Sequence, residues 1–296
     1  MLIDIHVHVC QKRHPKITRA GGTFYPDPDT LIAMMDAHGI DKALCQCTVS
    51  PECRYTALSP EEMLEIAAEY PERLIPCCNM DPRWLGNSTS SNFVPLLEAY
   101  REMGARCVGE YIPNLPFDDP LNMNFFEDVE AVGLPLTFHI APKIGGCYGC
   151  YDEVGLPRLE RVLKAFPNLM FLGHSQAFWA EISTDVIQDG QRVGYPKGPV
   201  TPGRLLALFR TYPNLLGDLS AGSGFNAISR DPEFGYGFME EFQDRLYFGT
   251  DIANDPQTLD IVPYFENLKV ERLISEAAWE KIAWRNAQKL LGLASD

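Results

Sequence analysis

Short apolar runs and amphipathic stretches alternate almost from end to end of this 296-residue chain, and that alternation rules out most architectures. Eight strand-like runs can be counted, among them "LIDIHVHV", "KALCQCTV", "RLIPCCNM", "ARCVGEY", "LPLTFHI", "LMFLGH", "LLGDLS" and "RLYFGTD", each followed by helix-like sequence. In "SPEEMLEIAAEY", Ser59 is placed to cap a helix, with Glu61 and Glu62 in the first turn where the helix dipole favours acids. The connectors "YPERLI", "FPNLMF" and "YPNLLG" recur, with proline closing a helix just before an apolar run opens a strand. Eight β-then-α units predict an α/β protein, a (β/α)8 TIM barrel, whose ordinary size of about 250 residues is close to this length. A doubly wound open sheet fits less well, because no glycine-rich dinucleotide fingerprint follows the first strand. No composition break marks a linker, so a single domain spanning 1–296 is expected.

Bulk properties exclude several classes. No apolar run approaches the ~18 residues of a membrane span. The first strand begins too early for a signal peptide, so a cytoplasmic protein is expected. A net charge of −15 argues against a nucleic-acid binder, which would carry a basic stripe. It leaves room for an anionic substrate, since a metal and a few arginines can dominate the field within a cleft. Nine cysteines without an export signal read as reduced thiols. Cys147 and Cys150 form a CxxC in "GGCYGCYDE", but no second CxxC completes a zinc ribbon.

The chemistry starts in "MLIDIHVH". Side chains alternate across a strand, so Ile3, Ile5 and Val7 share one face while Asp4, His6 and His8 share the other. A lone strand histidine is ordinarily a hydrogen-bonded core residue. Two on one buried face, beside an acid, suit a metal ion. On the barrel frame Glu110 ends strand four, His139 strand five, His174 strand six and Asp251 strand eight. Strands so far apart in sequence converge only in a closed barrel, and the C-terminal strand ends build its active-site face. Imidazole and carboxylate ligands suit zinc or a similar divalent ion. Long loops after strands five and six are candidates for substrate contacts. Arg13, Arg54, Arg83 and Lys143 follow strands one, two, three and five and can meet a carboxylate. Trp84, Tyr148 and Trp179 either line an apolar wall or brace these loops.

The ordered set "IDIHVH", "GLPLTFH", "LGH" and "FGTD", with the closing "KIAWRNAQKLLGL", resembles the amidohydrolase superfamily over nearly the whole chain. It is most similar to the amidohydrolase 2 branch, which includes aminocarboxymuconate-semialdehyde decarboxylase. The resemblance implies a divalent metal, zinc by preference, held by His6, His8, His139 and Asp251. It also implies that His174 polarises substrate or transfers a proton, and that Asp251 doubles as proton acceptor. Where two-metal relatives carry a carboxylated lysine, this chain has Glu110. That glutamate resembles the "GE" strand of TatD-type metal hydrolases and joins the candidate ligands. The expected activity is hydrolysis of a small carboxylated amide, lactone or ester, with Arg54, Arg83, Lys143 and Tyr148 as substrate contacts. Non-oxidative decarboxylation is the alternative. A TatD-like nuclease fits poorly with the acidic charge, and a barrel without catalysis leaves the open site without purpose. The expected partner is a small molecule, not nucleic acid or membrane, and assembly into a homo-oligomer stays open.

Overall fold

The structure, a computed structural model, describes residues 1–11, 16, 18–19, 22–53, 58–185 and 192–294. Its eight barrel strands are β1 (Ile3–Val7), β2 (Lys42–Cys45), β3 (Leu74–Pro76), β4 (Val108–Tyr111), β5 (Leu136–Ala141), β6 (Phe171–His174), β7 (Leu215–Asp218) and β8 (Leu246–Tyr247). All neighbouring pairs are parallel, in two runs: β1 to β3 in order, and β4 to β8 in order.

Hydrogen bonds just beyond the strand ends join the two runs into a closed barrel. On one side, Cys78 N–H donates to Cys107 O and Gly109 N–H donates to Cys78 O, both at 2.9 Å. On the other, Ile5 N–H donates to Phe248 O (2.9 Å), Asp251 N–H to His6 O (2.8 Å) and His8 N–H to Ile252 O (2.8 Å). This second seam ties the first strand to the last.

Barrel strands are covered on both faces, so β1 is buried throughout. Ile3, Ile5 and Val7 belong to the hydrophobic core, whereas Asp4 and His6 turn inward to meet Thr250 and Asp218. The recurring connectors behave as their sequence suggests. Helices Pro60–Glu69, Pro157–Ala165 and Arg204–Thr211 each end just before a Tyr-Pro or Phe-Pro pair, and the next strand starts a few residues later. Ser59 accepts Glu62 N–H as the cap of the first of these. Among the described residues, no helix is long and apolar enough to cross a membrane.

The two long connections follow β5 and β6. The first holds a two-residue strand, Cys150–Tyr151, that pairs alongside the end of β5. The second begins with a short helix, Gln176–Trp179, capped by Ser175.

Candidate metal centre

Strand register brings the candidate side chains to one level. His139 stands opposite His174, and Gly173 opposite Gly217, which puts His174 beside Asp218 on the next strand. The result is a cluster of four histidines and three acids at the C-terminal mouth of the barrel. His6 and His8 bring their Nε2 atoms to 3.2 Å of one another. Asp251 Oδ1 lies 3.3 Å from His8 Nε2 and 3.9 Å from His6 Nε2. Glu110 Oε2 lies 3.7 Å and 3.9 Å from the same two nitrogens. The other Glu110 oxygen, Oε1, lies 2.7 Å from His139 Nδ1 and 4.0 Å from His174 Nε2.

Asp218 was missing from the sequence reading. Its Oδ2 accepts from His6 Nδ1 (2.7 Å) and lies 3.3 Å from His174 Nδ1, while Ser220 Oγ sits 3.0 Å from that same nitrogen. It ends a plain apolar strand with no histidine nearby in sequence. Its only available signal was its place at a strand end, the place that singled out Glu110 and Asp251.

Electrostatics make the cluster a demand for positive charge. Burial opposes the charge of Asp218, yet the His6 imidazole and hydrogen bonds from His174 and His6 hold its carboxyl well below the ordinary range. Glu110 is also held far down against burial, by its hydrogen bond from His139 and by the charges of His139, His6 and His174. Asp251 is lowered too, with the His8 hydrogen bond and neighbouring imidazoles outweighing burial. Burial pulls His6 down, but Asp218, Glu110 and Asp251 together push it up to about 10. His139 moves the other way, because burial outweighs its Glu110 partner. Among the described residues, no lysine or arginine is ion-paired with any of the three acids.

The donor set fits divalent ions. Three groups have ligand atoms within 4.8 Å of one another: His6, His8 and Asp251; Glu110, His139 and His174; and His6, His174 and Asp218. Four nitrogen or oxygen atoms bonded tetrahedrally to zinc at ~2.0–2.1 Å stand about 3.4 Å apart. The distances of the His6 and His8 Nε2 atoms from each other, from Asp251 Oδ1 and from Glu110 Oε2 span 3.2 to 3.9 Å.

Above the cluster opens a cavity of about 640 Å³, lined by His8, Glu110, His139, His174 and Asp251 at its floor and by Arg19, Lys143, Tyr148 and Tyr195 higher up. Lys143 and Tyr148, singled out from the sequence, are thus among the residues lining the cavity. Tyr148 packs its ring on His139 at 4.7 Å. Gly149 lets the loop lie directly on that histidine: its φ is +100°, and a Cβ there would come within 2.7 Å of His139 Cδ2. Tyr25 stacks on His8 at 4.6 Å, and Arg19 lies over Tyr25.

Other residues singled out from the sequence fall outside this cavity lining. Arg83 is not among the residues lining the cavity, and its guanidinium is engaged by Asp81 (2.6 Å) and Glu52 (3.0 Å). Trp179 is a core residue whose Nε1–H donates to Asp218 O (2.8 Å), and Trp84 is surface-exposed away from the cavity. Cys147 and Cys150 are free thiols. Arg13 and Arg54 lie outside the described residues.

Comparison with known proteins agrees with this fold. The amidohydrolase family model matches residues 3–293. No curated protein sequence matches the chain. Among solved structures, an uncharacterised TIM-barrel protein of Bordetella bronchiseptica superposes with a TM-score of 0.65 at 18% identity, covering 98% of each chain. A probable 2-pyrone-4,6-dicarboxylic acid hydrolase of Acinetobacter baumannii, with citric acid bound, gives 0.60 at 15% identity over 99% of each chain. A dihydroxybenzoic acid decarboxylase of Polaromonas, with bound manganese and 2-nitroresorcinol, gives 0.57 at 18% identity, covering 100% of this chain and 98% of that one. At such identities these structures speak for the shared fold alone. The family match over nearly every residue makes this chain a member of the amidohydrolase family, in its amidohydrolase 2 branch, and an enzyme.

Proposed function

We propose that this enzyme is a metal-dependent hydrolase of a small carboxylated amide, lactone or ester, working with two cation positions that share one carboxylate. One observation carries the reading: Glu110 turns Oε2 towards His6 and His8 and Oε1 towards His139 and His174. His6, His8 and Asp251 make the first position, His139 and His174 the second, and Glu110 belongs to both. Divalent ions held there, zinc by preference, supply Lewis acidity and bring the pKa of a water down towards neutrality.

The remaining work falls to the chain. Asp251, with 26% of its side chain open to the cavity, is placed to take a proton from the attacking water and return it to the leaving group. His174, expected from sequence to polarise substrate, joins the second ligand set in this reading. Lys143 lines the mouth and, among the described residues, makes no ion pair, which suits it to a substrate carboxylate, and Tyr148 offers a half-exposed ring to the substrate body. Citric acid in the Acinetobacter relative is consistent with a carboxylated ligand, and manganese in the Polaromonas relative with a divalent ion at this mouth.

Glu110→Gln tests the reading, since it keeps the side chain's size and removes its charge. Zinc bound per chain should fall from two to one, and hydrolysis should drop by at least 100-fold. Unchanged stoichiometry and turnover would remove Glu110 from the mechanism. Carbon dioxide release without water uptake would replace hydrolysis with decarboxylation.

A further inference from the structure

Each proposed cation position takes one histidine that reaches the same carboxylate behind it. Asp218 is fully buried, and its single oxygen Oδ2 faces His6 Nδ1 at 2.7 Å and His174 Nδ1 at 3.3 Å. Its other oxygen, Oδ1, is held by the N–H of Ser220 at 3.0 Å. Its backbone is fixed as well, since Asp218 O accepts the indole N–H of Trp179 at 2.8 Å. The carboxylate therefore cannot rotate to serve one ring without disturbing the other.

An acceptor oxygen beside Nδ1 requires a proton on that nitrogen, because two lone pairs would otherwise face each other in a dry interior. With Nδ1–H directed at Asp218, the Nε2 lone pair of each ring faces the ligand cluster. Ser220 Oγ, 3.0 Å from His174 Nδ1, can share that proton as a second acceptor. The hydroxyl could instead donate to a bare Nδ1, but the carboxylate oxygen 3.3 Å away disfavours that arrangement.

We infer that Asp218 is a positioning residue common to both cation positions, orienting His6 for one and His174 for the other, so that the two positions gain or lose affinity together. This rests on the two-position reading above. Ordinary metal histidines have separate partners of this kind, each worth about 10–100-fold in affinity. Here one oxygen serves two.

Asp218→Asn is the decisive variant. The Ser220 N–H keeps the amide oxygen on its own side, which turns the NH2 group, a donor, towards both rings. Two measurements follow. Proton NMR with selective ring labelling should find the Nδ1–H protons of His6 and His174 far downfield and slowly exchanging, with or without zinc, and both signals should be lost in Asp218→Asn. Zinc titration by chelator competition should find both positions weakened by about 10–100-fold. A wild-type spectrum lacking either proton, or a variant that weakens only one position, would overturn the inference. Should Asp218→Asn fail to fold, Ser220→Ala decides: both protons should persist, and loss of the His174 proton would assign that ring to Ser220 instead. Fewer than two zinc ions on the wild type, with both protons present, would sink the two-position reading and leave the orienting role of Asp218 standing.

Discussion

Asp4 and Asp218 are both fully buried acids, and their surroundings drive them in opposite directions. Asp218 faces imidazoles and stays ionised. Burial, helped by the nearby charge of Asp218, pushes the Asp4 carboxyl up to about 7 against hydrogen bonds from the hydroxyl and N–H of Thr250 and the N–H of His6. The folded state then holds a proton that the unfolded chain has released. Stability contributed by this group is complete below 3.8, falls as pH rises towards 7, and does not return above it. Asp4→Asn should flatten that part of the profile, because an amide keeps the two N–H acceptances and can donate to Thr250 Oγ1. Urea midpoints measured from about pH 4 to 8 check this, and a slope as steep in the variant would refute it. At this scale the sequence was uneven. Asp4, His6 and His8 announced themselves through alternation. Asp218 and Arg19 did not, since neither an isolated acid in an apolar strand nor a loop cation carries a period.

Among elements, the loop after β5 does most to shape the cavity, and one buried side chain holds it. Asn114 donates from Nδ2 to Lys143 O (3.1 Å) and Gly149 O (3.0 Å), and its Oδ1 accepts from Gly145 N–H (2.5 Å). Asn114→Ala removes these three loop hydrogen bonds, at roughly 1 kcal/mol each, and a longer one from Nδ2 to Cys147 Sγ (3.7 Å). Amide exchange across residues 143–149 should quicken and KM should rise, while zinc content stays near wild type. Unchanged exchange would mean that the loop holds itself. The length of this loop could be read from the sequence, and so could the order of strands and helices, because periodicity and proline connectors report on local structure. The course of the loop could not. It depends on Asn114, beyond a different strand, and on the absence of a Cβ at Gly149 above His139.

Across the whole molecule, the proposed ligands come from β1, β4, β5, β6 and the segment after β8, so bound ions would cross-link five parts of the barrel. Stripping with a chelator should lower the thermal midpoint, and zinc at about 100 times its Kd should restore about 2.7 kcal/mol per independent site. A midpoint indifferent to both treatments would mean that no metal is held in the folded state. The seam between β1 and β8 carries a further consequence, for biosynthesis. His6 and His8 leave the ribosome well ahead of Asp251, whose N–H bonds to His6 O and which follows roughly ten to fifty seconds later at ordinary elongation rates. Until then the HxH pair has neither its acid nor the strand that closes the barrel over it. If these residues hold metal as proposed, a nascent chain would be kept from capturing it tightly before its topology is complete, and loading would be a late event of the finished barrel.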